Sequence, residues 1–273
     1  VGSETIDVGR VRDDLLAEQD SLDDIVSGLS DEQWYAPTPS RGWRVVEQIA
    51  HLAYFDHAAA VAITDPERFV ELRGELGTAL AGGDPEAADT LTLEPLRSLD
   101  PDGLLEAWRA NRRLLADAAA GLADDDRIEW YGPSMGSKSF LTARLMEAWA
   151  HGQDVADAVG VELEPTDRLA HIARLGFITR GWSYAVRGLE VPSDRVRVEL
   201  VAPSGAHWRF GPEDAAQSIS GSAEAFCLVV TQRRHVDDTD LVVDGDAARD
   251  WMLRAQAFAG GPTEGPPAAD SPS

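Results

Sequence analysis

The sequence has one cysteine, Cys227, one lysine, Lys138, and no apolar run near the roughly 18 residues that a membrane-crossing helix needs. A single cysteine excludes an internal disulfide. The opening stretch, VGSETIDVGRVRDD, lacks the basic-then-apolar pattern of a signal peptide, so a cytoplasmic protein with no membrane partner is expected. Basic residues are scarce as well, 24 against 48 acidic ones, for a net charge of −24. Such a charge repels a phosphate backbone instead of releasing its counterions, which argues against a nucleic-acid partner. The near absence of lysine beside abundant Ala, Gly and Asp suggests a GC-rich genome, actinobacterial or haloarchaeal. For the second source the acidic surface would be a hydration device; plain solubility is the simpler reading.

What is present is helical periodicity. At 273 residues the chain exceeds the roughly 100–200 of one domain, and two packed units are expected. Val11, Leu15, Leu22, Ile25, Val26 and Leu29 recur at helical spacing and predict an amphipathic helix over about 8–29. Ser30 with Gln33 has the capping-box pattern for a short turn. A second helix is predicted from about Trp43 to Ile63, a third from Asp102 to about Leu122, and a fourth from Ser139 to Val159. The stretch between Pro66 and Pro101, punctuated by Gly74, Gly77, Gly82, Gly83, Pro85 and Pro95, reads as a long connection with a helical piece. Four helices with one long connection predict a bundle over residues 1–163.

After Pro165 the pattern changes. A helix is predicted over about 168–187, then a strand where Val196, Val198, Leu200 and Ala202 alternate with polar residues, and a hairpin through Pro203-Ser204-Gly205 to His207–Phe210. A strand over 217–220, a helix over 222–234, a strand over 240–243 and a helix over 246–258 complete a small α+β domain, residues 164–260. Residues 261–273, GPTEGPPAADSPS at the end of the chain, have too little apolar surface to order themselves and are expected to be a flexible tail.

The predicted fourth helix carries the chemistry. Phe140, Ala143, Glu147, His151, Asp154 and Ala158 follow at intervals of three or four and share one face, whose middle is polar. A Glu and a His one turn apart aim donor atoms at a common point, as a first-row divalent ion requires. The pair alone is weak, since most such pairs are surface pairs. His51, inside the apolar run VVEQIAHLAYF, is the best third donor, although a lone histidine in such a helix is more often a hydrogen-bonded core residue. Bundles gather metal ligands from facing helices in this way.

The segments LSDEQWYAPTPSRGWRVVEQIAHLAYFDHAA and RLMEAWAHGQDVADAVG resemble the DinB-like superfamily, in particular its mycothiol-dependent maleylpyruvate isomerase branch, over about Val8 to Val161. Trp43, His51 and the E-x-x-x-H pattern occur in the family's order. The resemblance implies a four-helix bundle and zinc held by His51, Glu147 and His151. The stretch SISGSAEAFCLVVTQRRHVDDTDLVVDGDAARDW is similar to the small α+β domain of an actinobacterial subgroup of metal-binding proteins, which implies a fold of the type α plus α+β: a DinB-like bundle and a smaller C-terminal α+β domain.

Three protein ligands leave an open position, the pattern of a catalytic zinc site. A divalent metal is expected, zinc before nickel, and the resemblance implies mycothiol as cosubstrate. A thiol at the open position would be deprotonated and become a nucleophile. Cys227 lies on the apolar side of a predicted helix and is a poor candidate for that thiol. Asp154 is one turn beyond His151, placed either to accept a ligand histidine's other N–H or to be a helix-end surface acid. Arg233 and Arg234 match a region where the family carries an arginine near its active site, and such a fork clamps a substrate carboxylate; alternatively, they complement a helix C-terminus. His57, His171, His207 and His235 have no partners in sequence. The activity implied is addition or transfer of mycothiol to an electrophilic small molecule, by an S-transferase or an isomerase. The rivals are a metal-dependent binding protein without turnover, and hydrolysis by metal-bound water, which Glu147 as a ligand is unavailable to assist.

Overall fold

The computed structural model describes residues 7–82 and 85–269. The chain divides into two compact units, the first ending at Leu163 and the second starting at Glu164. In the first, the long helices are α1 (Val8–Val26), α3 (Val45–Thr64), α7 (Pro101–Ala119) and α8 (Ser137–Val159). They form a four-helix bundle in which α3 packs on α7 and α8, and α1 packs on α8 and α7. Between α1 and α3 lies the single turn α2 (Asp31–Trp34), closed by the reciprocal Ser30 and Gln33 bonds of a capping box and anchored by the buried Trp34. Helix α3 is apolar on most of its circumference, with Val45, Val46, Ile49, Leu52 and Ala53 fully enclosed. Its start is held by Arg44, whose backbone N–H and guanidinium both donate to Glu47.

The connection expected between Pro66 and Pro101 is instead largely helical: α4 (Pro66–Ala81), α5 (Pro85–Thr92) and α6 (Glu94–Arg97). Gly74 and Gly77 sit inside α4, where an added Cβ would meet open space. Each costs about 1 kcal/mol of helix propensity. That loss is offset by the Asp65 cap on Arg68 N–H, by Pro66 at the first helical position, and by burial of Phe69 and Leu76. Before α8, a two-residue hairpin, β1 (Arg127–Ile128) and β2 (Met135–Gly136), presents Trp130, which stacks on Phe69 at 5.5 Å and meets Phe140 edge-on at 5.1 Å.

One buried carboxylate ties the four long helices together. Asp56 on α3 accepts from Gln19 Nε2 of α1 at 2.9 Å, from Trp108 Nε1 of α7 at 3.2 Å, and from Arg144 Nε and Nη2 of α8 at 3.1 and 2.9 Å. Asp56 is 1% exposed and Arg144 4%. A second cluster nearer the surface joins Arg109 and Arg112 of α7 to Asp23 of α1.

The second unit has α9 (Leu169–Ile178) and α10 (Arg180–Ala185) where one helix over 168–187 is expected. A four-stranded sheet follows in the order β4-β3-β5-β6, built from β3 (Val196–Val201), β4 (His207–Phe210), β5 (Gln217–Ser222) and β6 (Val242–Asp244). β3 pairs parallel with β5, and the other pairings are antiparallel. Helices α11 (Ala223–Val230) and α12 (Asp246–Arg254) pack on the sheet. The core holds Val198, Leu200, Ile219, Phe226 and Trp251. Gly176 lets α9 approach α11 closely, since a Cβ there would lie 2.7 Å from a Val230 methyl. The last described stretch, 261–269, lacks helix and strand, and Thr263 and Ala269 hydrogen-bond back to Gln232 and Asp238. Among the described residues no helix is long and apolar enough to cross a membrane.

Candidate metal centre

Helix α3 presents Gln48, His51 and Phe55 along one face, and α8 presents Arg144, Glu147, His151 and Asp154 along another. Because α3 packs on α8, the structure brings His51, Glu147 and His151 together, with one donor atom from each lying within 4.8 Å of the others. His51 Nε2 is 3.5 Å from Glu147 Oε2, and His151 Nε2 is 3.1 Å from the same oxygen. Around a tetrahedral zinc with bonds near 2.0 Å, neighbouring donors lie about 3.3 Å apart. The two separations from Glu147 bracket that value. His51 and Glu147 keep about a fifth of their side-chain surface in contact with solvent, and His151 less. No other trio of His, Cys, Asp or Glu donors gathers in this way among the described residues.

The hydrogen bonds behind His151 fix which of its nitrogens faces the site. Thr38 Oγ1 donates to Trp43 O at 2.9 Å, so it accepts from Gln48 Nε2 at 2.8 Å, which turns Gln48 Oε1 toward His151 Nδ1. His151 therefore carries a proton on Nδ1, and its Nε2 faces the Glu147 carboxylate. Two lone pairs at 3.1 Å repel unless a proton or a cation lies between them. Burial pushes the His51 imidazole down to about 4, with the charge of His151 adding to the effect and Glu147 opposing it, so this ring is neutral at neutral pH. Burial pushes the Glu147 carboxyl up, but hydrogen bonds from His151 and His51 outweigh it and hold the group well below its ordinary value. Two imidazoles and one ionised carboxylate form a donor set that suits a first-row divalent cation.

Aromatic rings wall the site. Trp43 lies 5.4 Å from His51 and stacks on His151 at 6.0 Å, while Phe55 packs against His51 at 4.5 Å and against Tyr131 at 5.5 Å. These rings limit rotation of both imidazoles and shield them from water.

The remaining residues singled out in the sequence lie as follows. Asp154 is 2% exposed and accepts from Ser40 Oγ at 2.9 Å; it is not a surface acid, and the His151 ring N–H goes to Gln48. Gln48 is the neighbour of the cluster that sequence reasoning missed, although its position three residues before His51 puts it on the same helical face. Cys227 is fully buried, and burial with the charge of Glu224 pushes its thiol well up, so it is inert as a nucleophile. Helix α11 ends at Val230, not at residue 234, so Arg233 and Arg234 are not in its last turn. They follow a turn in which Arg233 N–H reaches Leu228 O and Gln232 N–H reaches Val229 O, with Gln232 at φ 60°. Arg234 joins Arg187 and Arg254 in lining a cavity of about 320 Å³ within the second unit. His57 and His207 are exposed, His171 is buried, and His235 accepts from Asp237 N–H; none joins the cluster.

Comparison with known proteins places these features in context. Residues 15–156 match the family described as mycothiol maleylpyruvate isomerase N-terminal domain, and residues 192–244 match one described as wyosine base formation. Uncharacterized proteins from two strains of Mycobacterium tuberculosis are 44% identical over 252 residues, covering 92% of this chain and 96% of theirs. Two crystal structures of the mycothiol-dependent maleylpyruvate isomerase, one of a histidine-to-alanine variant, share the fold with a TM-score of 0.57 at 17% identity, over 87% of this chain and 93% of theirs.

Proposed function

The chain belongs to the family of the mycothiol maleylpyruvate isomerase N-terminal domain, and from that membership we propose an enzyme that uses a divalent metal, zinc in the first instance, to activate mycothiol for reaction with an electrophilic small molecule. The reaction is addition or transfer of the thiol, by an isomerase or an S-transferase. The observation that carries this reading is the gathering of His51, Glu147 and His151, one donor atom from each within 4.8 Å of the others, with no fourth His, Cys, Asp or Glu donor in the group among the described residues.

His51, Glu147 and His151 would hold the ion. A divalent ion held by one carboxylate and two neutral imidazoles keeps a net positive charge and supplies the field that draws the proton from a bound thiol. Gln48 holds His151 in the tautomer that offers Nε2. Trp43 and Phe55 keep the two rings in place and exclude water from their faces. Arg233 or Arg234 would clamp an anionic group on the electrophile, the planar fork matching a carboxylate. Cys227, buried and held protonated, leaves the thiol to the cosubstrate.

The test is the rate at which the purified protein couples mycothiol to a halogenated bimane. A His51→Ala variant should lose at least a hundredfold in rate, and Arg233→Gln or Arg234→Gln should raise KM for an anionic electrophile while sparing the neutral bimane. Equal rates for wild type and His51→Ala would contradict the proposal and favour a metal-dependent binding protein without turnover.

A further inference from the structure

Within the second unit, the cavity of about 320 Å³ has a mostly polar lining, with arginines at its rim and a smaller apolar floor. Val229, Val236, Met252 and Ala255, all buried, form the floor. Arg187, Arg234 and Arg254 form the rim, with Glu264 as the acidic residue among those that line it. Its volume is at the small end of the range for ligand pockets, roughly 300–1,000 Å³.

Two of the rim arginines are held in fixed directions. Arg187 donates through Nη1 to Ser183 O at 2.7 Å and through Nη2 to Thr263 O, both of them carbonyls that fix its direction without neutralising it. Its guanidinium is pushed down from the ordinary value by burial and then by the charge of Arg254, with Glu264 opposing. Arg254 is aligned by Asp250, at 2.8 Å from Nε and 2.7 Å from Nη2.

The backbone next to the cavity is strained. Gln232 occupies the left-handed region at φ 60°, where glycine is usual after a helix. It uses its side chain in a way glycine has no means to. Nε2 donates to Ala255 O at 2.9 Å, and Oε1 accepts from Thr263 Oγ1 at 2.8 Å. These bonds pin the turn that delivers Arg234 to the end of α12 and to the 263–267 stretch, which supply the other walls. A strained residue whose side chain holds three walls of a cavity together points to preorganisation.

We propose that this cavity binds a small organic anion, its carboxylate or phosphate held by Arg187 and Arg254 and its apolar body on the Val229, Val236 and Met252 floor. Such an anion offsets the repulsion between Arg187 and Arg254, and the Arg187 guanidinium, whose hydrogen-bond partners are carbonyls, gives it a planar donor.

The test is calorimetric titration of the full-length protein with benzoate and with phenyl phosphate, at constant ionic strength, with benzyl alcohol as the neutral control. At least one of the two anions should bind once per chain, and the tighter of the two identifies the headgroup. Arg187→Gln and Arg254→Gln should each weaken binding at least tenfold. The Glu147→Ala, His151→Ala double variant should bind as the wild type does, which separates this cavity from the metal centre. If Arg187→Gln fails to fold because Ser183 and Thr263 lose their donor, Arg187→Lys keeps the charge without the fork and should weaken binding in the same direction. No saturable binding of either anion overturns the proposal. So does binding that benzyl alcohol matches, or that survives both arginine substitutions, or that vanishes in the double variant.

Discussion

In the first unit a carboxylate and a guanidinium sit at the centre of the bundle, whereas in the second the guanidiniums stand at the rim of an apolar floor. Asp56 receives donors from α1, α7 and α8 while itself on α3, so a single charged group sets the relative positions of all four long helices. Arg144, its partner, lies one turn from Glu147 on α8, and Asp56 lies five residues from His51 on α3. The ion pair therefore fixes the spacing of the two helices that carry the donors. In the second unit the core is Val198, Leu200, Ile219, Phe226 and Trp251, and its arginines lie outside that core. The difference teaches where chemistry and stability are coupled. A change to the central network of the bundle should move folding and metal affinity together, while a change to the rim of the second unit should move ligand binding with little effect on folding.

The largest expected effect comes from Arg144→Met. It leaves Asp56 as a buried charge without its counterion, which costs about 3–5 kcal/mol, with Gln19 and Trp108 keeping the loss toward the lower end. Denaturant unfolding of metal-free protein measures it. For contrast, Arg254→Gln should cost less than about 1 kcal/mol, because its pair with Asp250 is half exposed. Similar losses for the two variants would break the comparison.

Gln48→Ala sharpens it, because Gln48 touches the site without being a donor to it. Loss of the Nδ1 partner frees the His151 tautomer and should lower metal affinity about 10–100-fold, the usual range for removing a ligand's hydrogen-bond partner. Competition with a chromophoric chelator gives the value, and unchanged affinity would show that packing by Trp43 alone orients the ring.

The smallest effect is a pH slope. In metal-free protein His51 takes up its proton near pH 4, against 6.5 for an unperturbed ring. Between these values the unfolded chain holds more protons than the folded one. The His51 contribution is thus complete above pH 6.5 and is lost as the pH falls toward 4, by at most about 1.4 kcal/mol per unit. Stability curves for wild type and His51→Asn should diverge in that window and run parallel above it.

Much of the first unit was legible because period and capping agree. Val11, Leu15, Leu22 and Val26 form the buried face of α1, and Ser30 with Gln33 closes α2. The stretch over 66–101 was not legible, since Gly74 and Gly77 read as breakers while the burial of Phe69 that offsets them is a tertiary effect. The donors His51, Glu147 and His151 were visible from face and spacing, strengthened by the family resemblance. The hydrogen bond between Gln48 and His151 joins residues 103 positions apart and had no local signal beyond the shared face of α3. The end of α11 was overextended to residue 234 because Gln232 is not a residue that announces a left-handed turn.

The measurement that tests the central claim most directly is metal content, by mass spectrometry, of protein purified without a histidine tag or chelator. The account predicts about one equivalent of zinc in the wild type and almost none in the Glu147→Ala, His151→Ala double variant, the ratio that a single three-donor site requires. A wild type that holds no metal even after reconstitution, or a double variant that retains as much as the wild type, would contradict it.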